Sequence, residues 1–304
     1  MRERRKFDKG VVSFSELDTL ATCEQRWRYR FPLGYEQEPS SAMTRGTGLH
    51  EITGTWWETG EVRTAAEVSN TEQLNYTDEE AELVDWIIAR YIRHYANWRP
   101  RVKVLGTELE FSAPNALAEG ITVVGHIDQV WEMDDLIIIR EAKSMADWRR
   151  LDLVDVTTQE SLYGWGARQL GIEWDSILFD AIRTYRWKPE KPTQKQILED
   201  LGTNPFATKK AATEWARKEV ERHPGVDRPD ADSFEYRWLH RTTDQINSAL
   251  LWSASVIDRR DALLKTEMPI RNIGTSCQGC SFQEDCWSAM SFPTLSSQIA
   301  LDVD

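Results

Sequence analysis

The 304-residue chain predicts an α/β protein with a mixed central sheet flanked by helices, on three observations. Strand-like runs lie side by side at 102–111, 121–132 and 135–143, preceded by a segment of strong helical period. A helical pattern over 156–170 and an apolar strand pattern over 176–186 follow, giving the order helix, three strands, helix, strand. All four cysteines fall outside that block, Cys23 near one end and Cys277, Cys280 and Cys286 near the other.

Ser15 to Arg30 is predicted as one helix, N-capped by Ser13 or Ser15 and carrying Cys23. A looser stretch through Pro39 leads to Arg45-Gly46-Thr47-Gly48-Leu49-His50. The glycines there predict close backbone approach at the start of a helix that carries His50. Residues 78–98 form a helix with Leu83, Trp86, Ile87 and Tyr91 on one face. The proline- and lysine-bearing stretch 187–235, with a short helical piece around 208–222, is an insertion or lid; a solvated connector fits its composition equally. A long helix over 240–264 precedes the cysteine cluster. The expected organisation is a single domain, 1–304: N-terminal helices with Cys23 and His50 (11–60), a core (102–186), the insertion (187–235), and a C-terminal helix and cysteine segment (236–304).

The basic start MRERRKFDKG has no apolar stretch behind it, and no apolar run approaches ~18 residues. The expectation is a cytoplasmic protein with no membrane span. A net charge of -13 disfavours unselective coating of nucleic acid, which needs positive charge. It leaves open an acidic enzyme that takes DNA in a local groove. Of the 14 tryptophans, packing takes most, while a few can stack on bases.

Chemistry concentrates in two places. If Asp134-Asp135 turns a hairpin, opposed positions sum to 269 and Asp128 faces Glu141. Glu141 and Lys143, two apart, project from one strand face. Two carboxylates side by side repel unless they share a divalent cation, and Mg2+ or Mn2+ suits hard oxygen ligands. His50 would complete the ligand set and tilt it towards Mn2+. Such a centre fits phosphodiester hydrolysis, with Lys143 orienting water or stabilising charge. Gln159 and Tyr163, four apart, share a helix face and either position that centre or pack Tyr163 into the core. The second place is the cysteine frame. Four thiolates make one soft-ligand site, and the alternatives are an iron–sulfur cluster, zinc, or free thiols or a disulfide. Cys277-x2-Cys280-x5-Cys286 is only half a zinc ribbon, so a lone distant fourth ligand suits a cluster better.

Asp128…Glu141-x-Lys143 resembles the PD-(D/E)xK nuclease signature without its first proline. Arg45-Gly46-Thr47-x-x-His50 and Gln159-x3-Tyr163 are similar to the flanking motifs of its RecB-like branch. Cys23 with the C-terminal triplet resembles the iron–sulfur exonucleases of that branch, among them AddB-like, CRISPR-adaptation and phage-borne nucleases. The motifs run in family order from 14 to 287. The resemblance implies a restriction-endonuclease-like core (αβββαβ) with helical additions and a [4Fe-4S] cluster. It further implies a Mg2+- or Mn2+-dependent DNA exonuclease acting on single-stranded ends in recombination, repair or phage replication, with a possible helicase or recombinase partner. Relatives often carry an acidic residue on the first strand, for which Glu108 and Glu110 are both candidates. Arg45 and Trp187 are candidate DNA contacts. The rivals are a catalytically silent module that binds DNA or a helicase, and an iron–sulfur redox sensor.

Overall fold

The computed structural model describes residues 7–35, 39–146, 148–185, 191–200, 208–222, 233–265, 271–274, 277 and 280–288. Along the chain these form β1 (Val11–Ser13), α1 (Phe14–Thr22), α2 (Glu24–Arg30), α3 (Ser41–Thr59), α4 (Ala65–Glu72) and α5 (Asp78–Tyr95). Then come β2 (Val102–Pro114), β3 (Thr122–Met133), β4 (Leu136–Met145), α6 (Thr158–Gln169) and β5 (Ser176–Arg183). The remainder is α7 (Gln194–Asp200), α8 (Lys209–Arg222), β6 (Phe234–Leu239), α9 (Thr243–Lys265) and α10 (Gln283–Ser288). The predicted α/β class and its mixed sheet are what the chain adopts.

Local chemistry fixes these boundaries. Thr64 and Thr77 each begin a helix with a reciprocal capping box, through Glu67 and Glu80. Gly60 ends α3 in the left-handed conformation, at φ 83°. Three expectations need correction. The helix expected over Ser15–Arg30 is two helices, because Cys23 is extended (φ -162°, ψ 114°) and serves as the end of α1 and the start of α2. Gly46 and Gly48 lie inside α3 rather than at its start; close approach is nevertheless their role, since a Cβ on Gly46 would stand 2.7 Å from Ser144 Oγ. On α5 the buried stripe is Val84, Ile87, Ile88 and Tyr91, rotated from the expected one, and Leu83 and Trp86 flank it. The sheet also gains β6 at the end of the supposed insertion, where the chain returns to pair with β5.

The sheet order is β1-β3-β4-β5-β6, with β2 on the other edge of β3. Asp134 and Asp135, at φ 52° and 66°, turn the β3–β4 hairpin in the conformation that two-residue hairpins favour. Its register is the expected one from Met133–Leu136 to Gln129–Arg140, and there the ladder stops. Beyond that pair β4 runs on beside β5 as far as Met145–Arg183. The free edge of β3 is instead taken up by β1, which pairs in parallel with Thr122 to Val124. The sheet therefore forks at Gly125 to Asp128, between the edge held by β1 and the edge held by β4.

Apolar clusters fill both faces. Val12, Leu17, Trp27, Phe111, Ile139 and Phe179 belong to one; Leu49, Trp57, Ile87, Trp131, Ile138 and Leu178 belong to the other. The second face also hides a charge. Arg140 and Asp180, with side chains 0% and 1% exposed, pair at 2.7 Å. Arg140 also donates to Gln129 Oε1 (3.1 Å) and Thr53 Oγ1 (3.3 Å), while Tyr91 and Tyr95 donate to Asp180 at 2.5 and 2.8 Å. Every partner comes from a different element than Arg140, so this network locks α3, α5, β3 and β5 around β4.

The first face is just as closely fitted at Phe111, whose ring lies against two glycines. A Cβ on Gly166 would stand 2.4 Å from it, and one on Gly125 2.5 Å. Gly166→Ala is expected to destabilise by about 1–3 kcal/mol through overpacking, less the ~1 kcal/mol that alanine contributes to a helix. Urea unfolding would show it, and Phe111→Leu in the same chain should recover part of the loss.

Candidate active site

Asp128 occupies the fork. With β3 no longer beside it, the Ala142 amide of β4 has no ladder partner there, and it donates to Asp128 Oδ2 at 2.9 Å. His50, carried over the fork by α3, places Nε2 3.0 Å from the same oxygen. Its other nitrogen, Nδ1, lies 3.5 Å from Glu108 Oε1. Glu108 has φ 50°, a strained conformation for a side chain of this kind, and that backbone turn aims its carboxylate at His50. Glu110, the other candidate, sits opposite His126 in the β2–β3 ladder. His50, Glu108 and Asp128 each bring one ligand atom within 4.8 Å of the others, the one such group among the described residues.

Glu141 enters from β4, fully buried on the face that α6 covers. Its Oε1 pairs with Lys143 Nζ and accepts from Gln159 Nε2 at 3.2 Å. Gln159 Nε2 also donates to Tyr163 Oη at 2.7 Å, so the two α6 residues meet as well as share a face. Glu141 Oε2 is buried without a hydrogen-bond partner. An unpartnered buried carboxylate oxygen beside a second carboxylate is costly unless a cation neutralises it.

Electrostatics express the same crowding. Burial, with the nearby Asp128 charge, pushes Glu141 well above the usual carboxylate range, and Lys143 only partly opposes this. Burial works against ionised Asp128 too, but His50, Lys143 and the Ala142 amide outweigh it and hold Asp128 low. Burial would likewise lower His50 and Lys143; the surrounding carboxylates reverse this and raise both. The donor set of oxygens plus one imidazole is the set a hard divalent cation takes, so the residues present fit such an ion.

The cysteines also converge. Cys23, Cys277, Cys280 and Cys286 line one small cavity with Tyr29 and Phe282, although Cys23 is distant in sequence. None is in a disulfide, and burial together with the other three thiols raises Cys286. Two contacts brace this junction: Asn272 Nδ2 donates to Thr22 O at 2.9 Å, and Arg259 pairs with Glu24. Arg45, a candidate DNA contact, pairs through its guanidinium with Glu80 at 3.3 Å. Trp187 lies outside the described residues.

The motifs alone do not mark Arg140, Asp180 and Gln129, of which Arg140 and Gln129 line one cavity with His50, Glu108 and Asp128. A signal existed: Arg140 and Asp180 interrupt apolar strand runs, and a charge in such a run needs a buried partner.

A mixed sheet that forks beneath two carboxylates, an imidazole and a lysine defines the class as an α/β nuclease. The chain belongs to the PD-(D/E)XK nuclease superfamily, whose family model matches residues 11–287, and its core is restriction-endonuclease-like. Among curated proteins, none matches the sequence. Among solved structures, a protein assigned as an exonuclease from Eubacterium rectale is similar at TM-score 0.53 and 13% identity, covering 89% of this chain and 88% of its own. A phage-related exonuclease from Haemophilus somnus 129PT aligns over 86% of this chain and 97% of its own, at 10% identity and TM-score 0.29. The first likeness speaks for the fold, and the second is too loose to carry an argument. Among the described residues no helix is long and apolar enough to cross a membrane.

Proposed function

We propose that this protein is a Mg2+- or Mn2+-dependent deoxyribonuclease that works as an exonuclease on DNA ends, single-stranded ends in particular. The single observation behind this reading is the convergence of Asp128, Glu141 and Lys143 at the fork, with Glu141 Oε2 left unpartnered. Asp128, Glu141 and His50 would hold the cation, and Glu108 stands near enough to join them. When bound, the ion would polarise the phosphodiester and make water acidic enough to attack at neutral pH. Lys143 is charged across the physiological range and offers its ammonium to the charge that builds on the phosphoryl oxygens. Gln159, tethered to Tyr163, fixes the Glu141 carboxylate so that it cannot swing away.

The four cysteines supply a complete thiolate set in one cavity, which supports a [4Fe-4S] cluster with a structural role: it would close a loop of some 250 residues. Recombination, repair or phage replication is the setting in which such an enzyme would trim ends, with a helicase or recombinase as the natural supplier of strands. A single nuclease domain is consistent with one sheet that takes strands from Val11 to Leu239 and with the contacts of α9 to the N-terminal segment. The test is purification without oxygen, iron and sulfide assay, then incubation with end-labelled single- and double-stranded DNA with Mg2+, Mn2+ or EDTA. The expected result is a brown protein that shortens DNA from its ends and is silenced by EDTA. Cleavage indifferent to EDTA, or no cleavage with either cation, would refute the reading.

A further inference from the structure

A second cleft adjoins the candidate active site, with a volume of about 420 Å3, within the range that accommodates small organic ligands. It opens between the end of β4, the 3-10 segment Trp148–Val156 and the first turn of α6. Lys143 and Gln159 line both this cleft and the acidic centre, so whatever occupies one lies next to the other. Met145, Val154 and Phe179 give it apolar surface, and Thr157 and Glu160 give it hydrogen-bonding groups.

The walls are built. Arg241, itself buried, donates to Val154 O at 2.7 Å and to Asp155 O at 2.5 Å, which holds the 3-10 segment in place. The same guanidinium lies 3.8 Å from Glu160, whose carboxylate also takes the Thr157 hydroxyl. The apolar wall and its hydrogen-bonding groups then decide what fits. Among the described lining residues the charges are matched: Lys143 is paired with Glu141, and Glu160 lies beside Arg241. A nucleobase suits the cleft, with its faces against apolar side chains and its amino-bearing edge offered to carboxylate and hydroxyl.

Building on the nuclease reading, we infer that this cleft receives the base of the nucleotide beside the scissile phosphate. The enzyme would thereby grip an unpaired terminal residue, since a base still stacked in a duplex cannot enter.

Ala146 is exposed and lines the cleft, so Ala146→Trp should fill it without disturbing the core. Leu153→Trp is the control: it lies on the same segment, 58% exposed, and does not line the cleft. The expected result is that Ala146→Trp raises KM for a single-stranded oligonucleotide roughly tenfold and weakens its binding similarly, while Leu153→Trp keeps wild-type values. Binding would be read by anisotropy of a fluorescein-labelled oligonucleotide with EDTA present, independently of cleavage. Wild-type KM and affinity in Ala146→Trp would overturn the cleft assignment and leave the nuclease reading standing. Tight oligonucleotide binding that Ala146→Trp weakens, in a wild-type protein that never cleaves, would support the cleft and refute the nuclease reading.

Discussion

Asp128→Asn is expected to lower DNA cleavage by about a thousandfold, equivalent to ~4 kcal/mol of transition-state stabilisation. Asparagine matches aspartate in shape and keeps an acceptor for the Ala142 amide, so the fork should hold. What it removes is the charge shared by His50, Lys143 and any cation at the centre. The half-saturating Mn2+ concentration should rise together with the loss of rate, because a ligand has been weakened. Lys143→Ala should also cost about 100- to 1000-fold in rate, but without a comparable change in metal requirement. Initial rates on end-labelled DNA across a Mn2+ titration, with circular dichroism melting as the folding control, separate the two effects. Undiminished cleavage in both variants would remove these residues from the chemistry.

The second large effect concerns stability. Arg140→Met should cost about 3–5 kcal/mol, because it leaves Asp180 charged, buried and without its counter-ion. Tyr91 and Tyr95 would still donate to Asp180, which sets the lower end of the range. The double variant Arg140→Met, Asp180→Leu removes both charges and should recover much of the loss, since an apolar pair of similar volume often matches a buried ion pair. Urea midpoints of the four proteins in the cycle would give the coupling. A single variant as stable as wild type would mean that Asp180 finds another partner or gives up its charge at little cost.

Much of the centre was legible in the sequence because strands make it so. The hairpin at Asp134-Asp135 dictated the register, and alternation placed Glu141 and Lys143 on one face. Asp128 was legible as a neighbour of Glu141, but the reason for their meeting was not. The ladder ends one pair before them, and their proximity comes from strands that separate there. That separation depends on β1, three residues long and too short to show a period. Glu108 could not be told from Glu110 because its position follows from a backbone angle, not from alternation. The helix break at Cys23 was hidden for a related reason: no proline or glycine marks it, and only docking of the C-terminal segment against Thr22 and Glu24 accounts for the turn. The Arg140–Asp180 lock joins residues 40 apart with no shared motif, so only their odd placement in apolar runs gave them away.

The short strand at the fork owes its position to a residue far along the chain. Arg260 of α9, wholly enclosed, donates to Lys9 O, Asp8 O and Val11 O and pairs with Glu16, which also accepts from Trp27. The spacing of the acidic side chains is thus set like the jaw of a vice whose screw lies 249 residues away from the piece it presses. Loosening of α9 by heat or denaturant would slacken that jaw first, so catalytic competence should fade at milder conditions than those that melt the sheet.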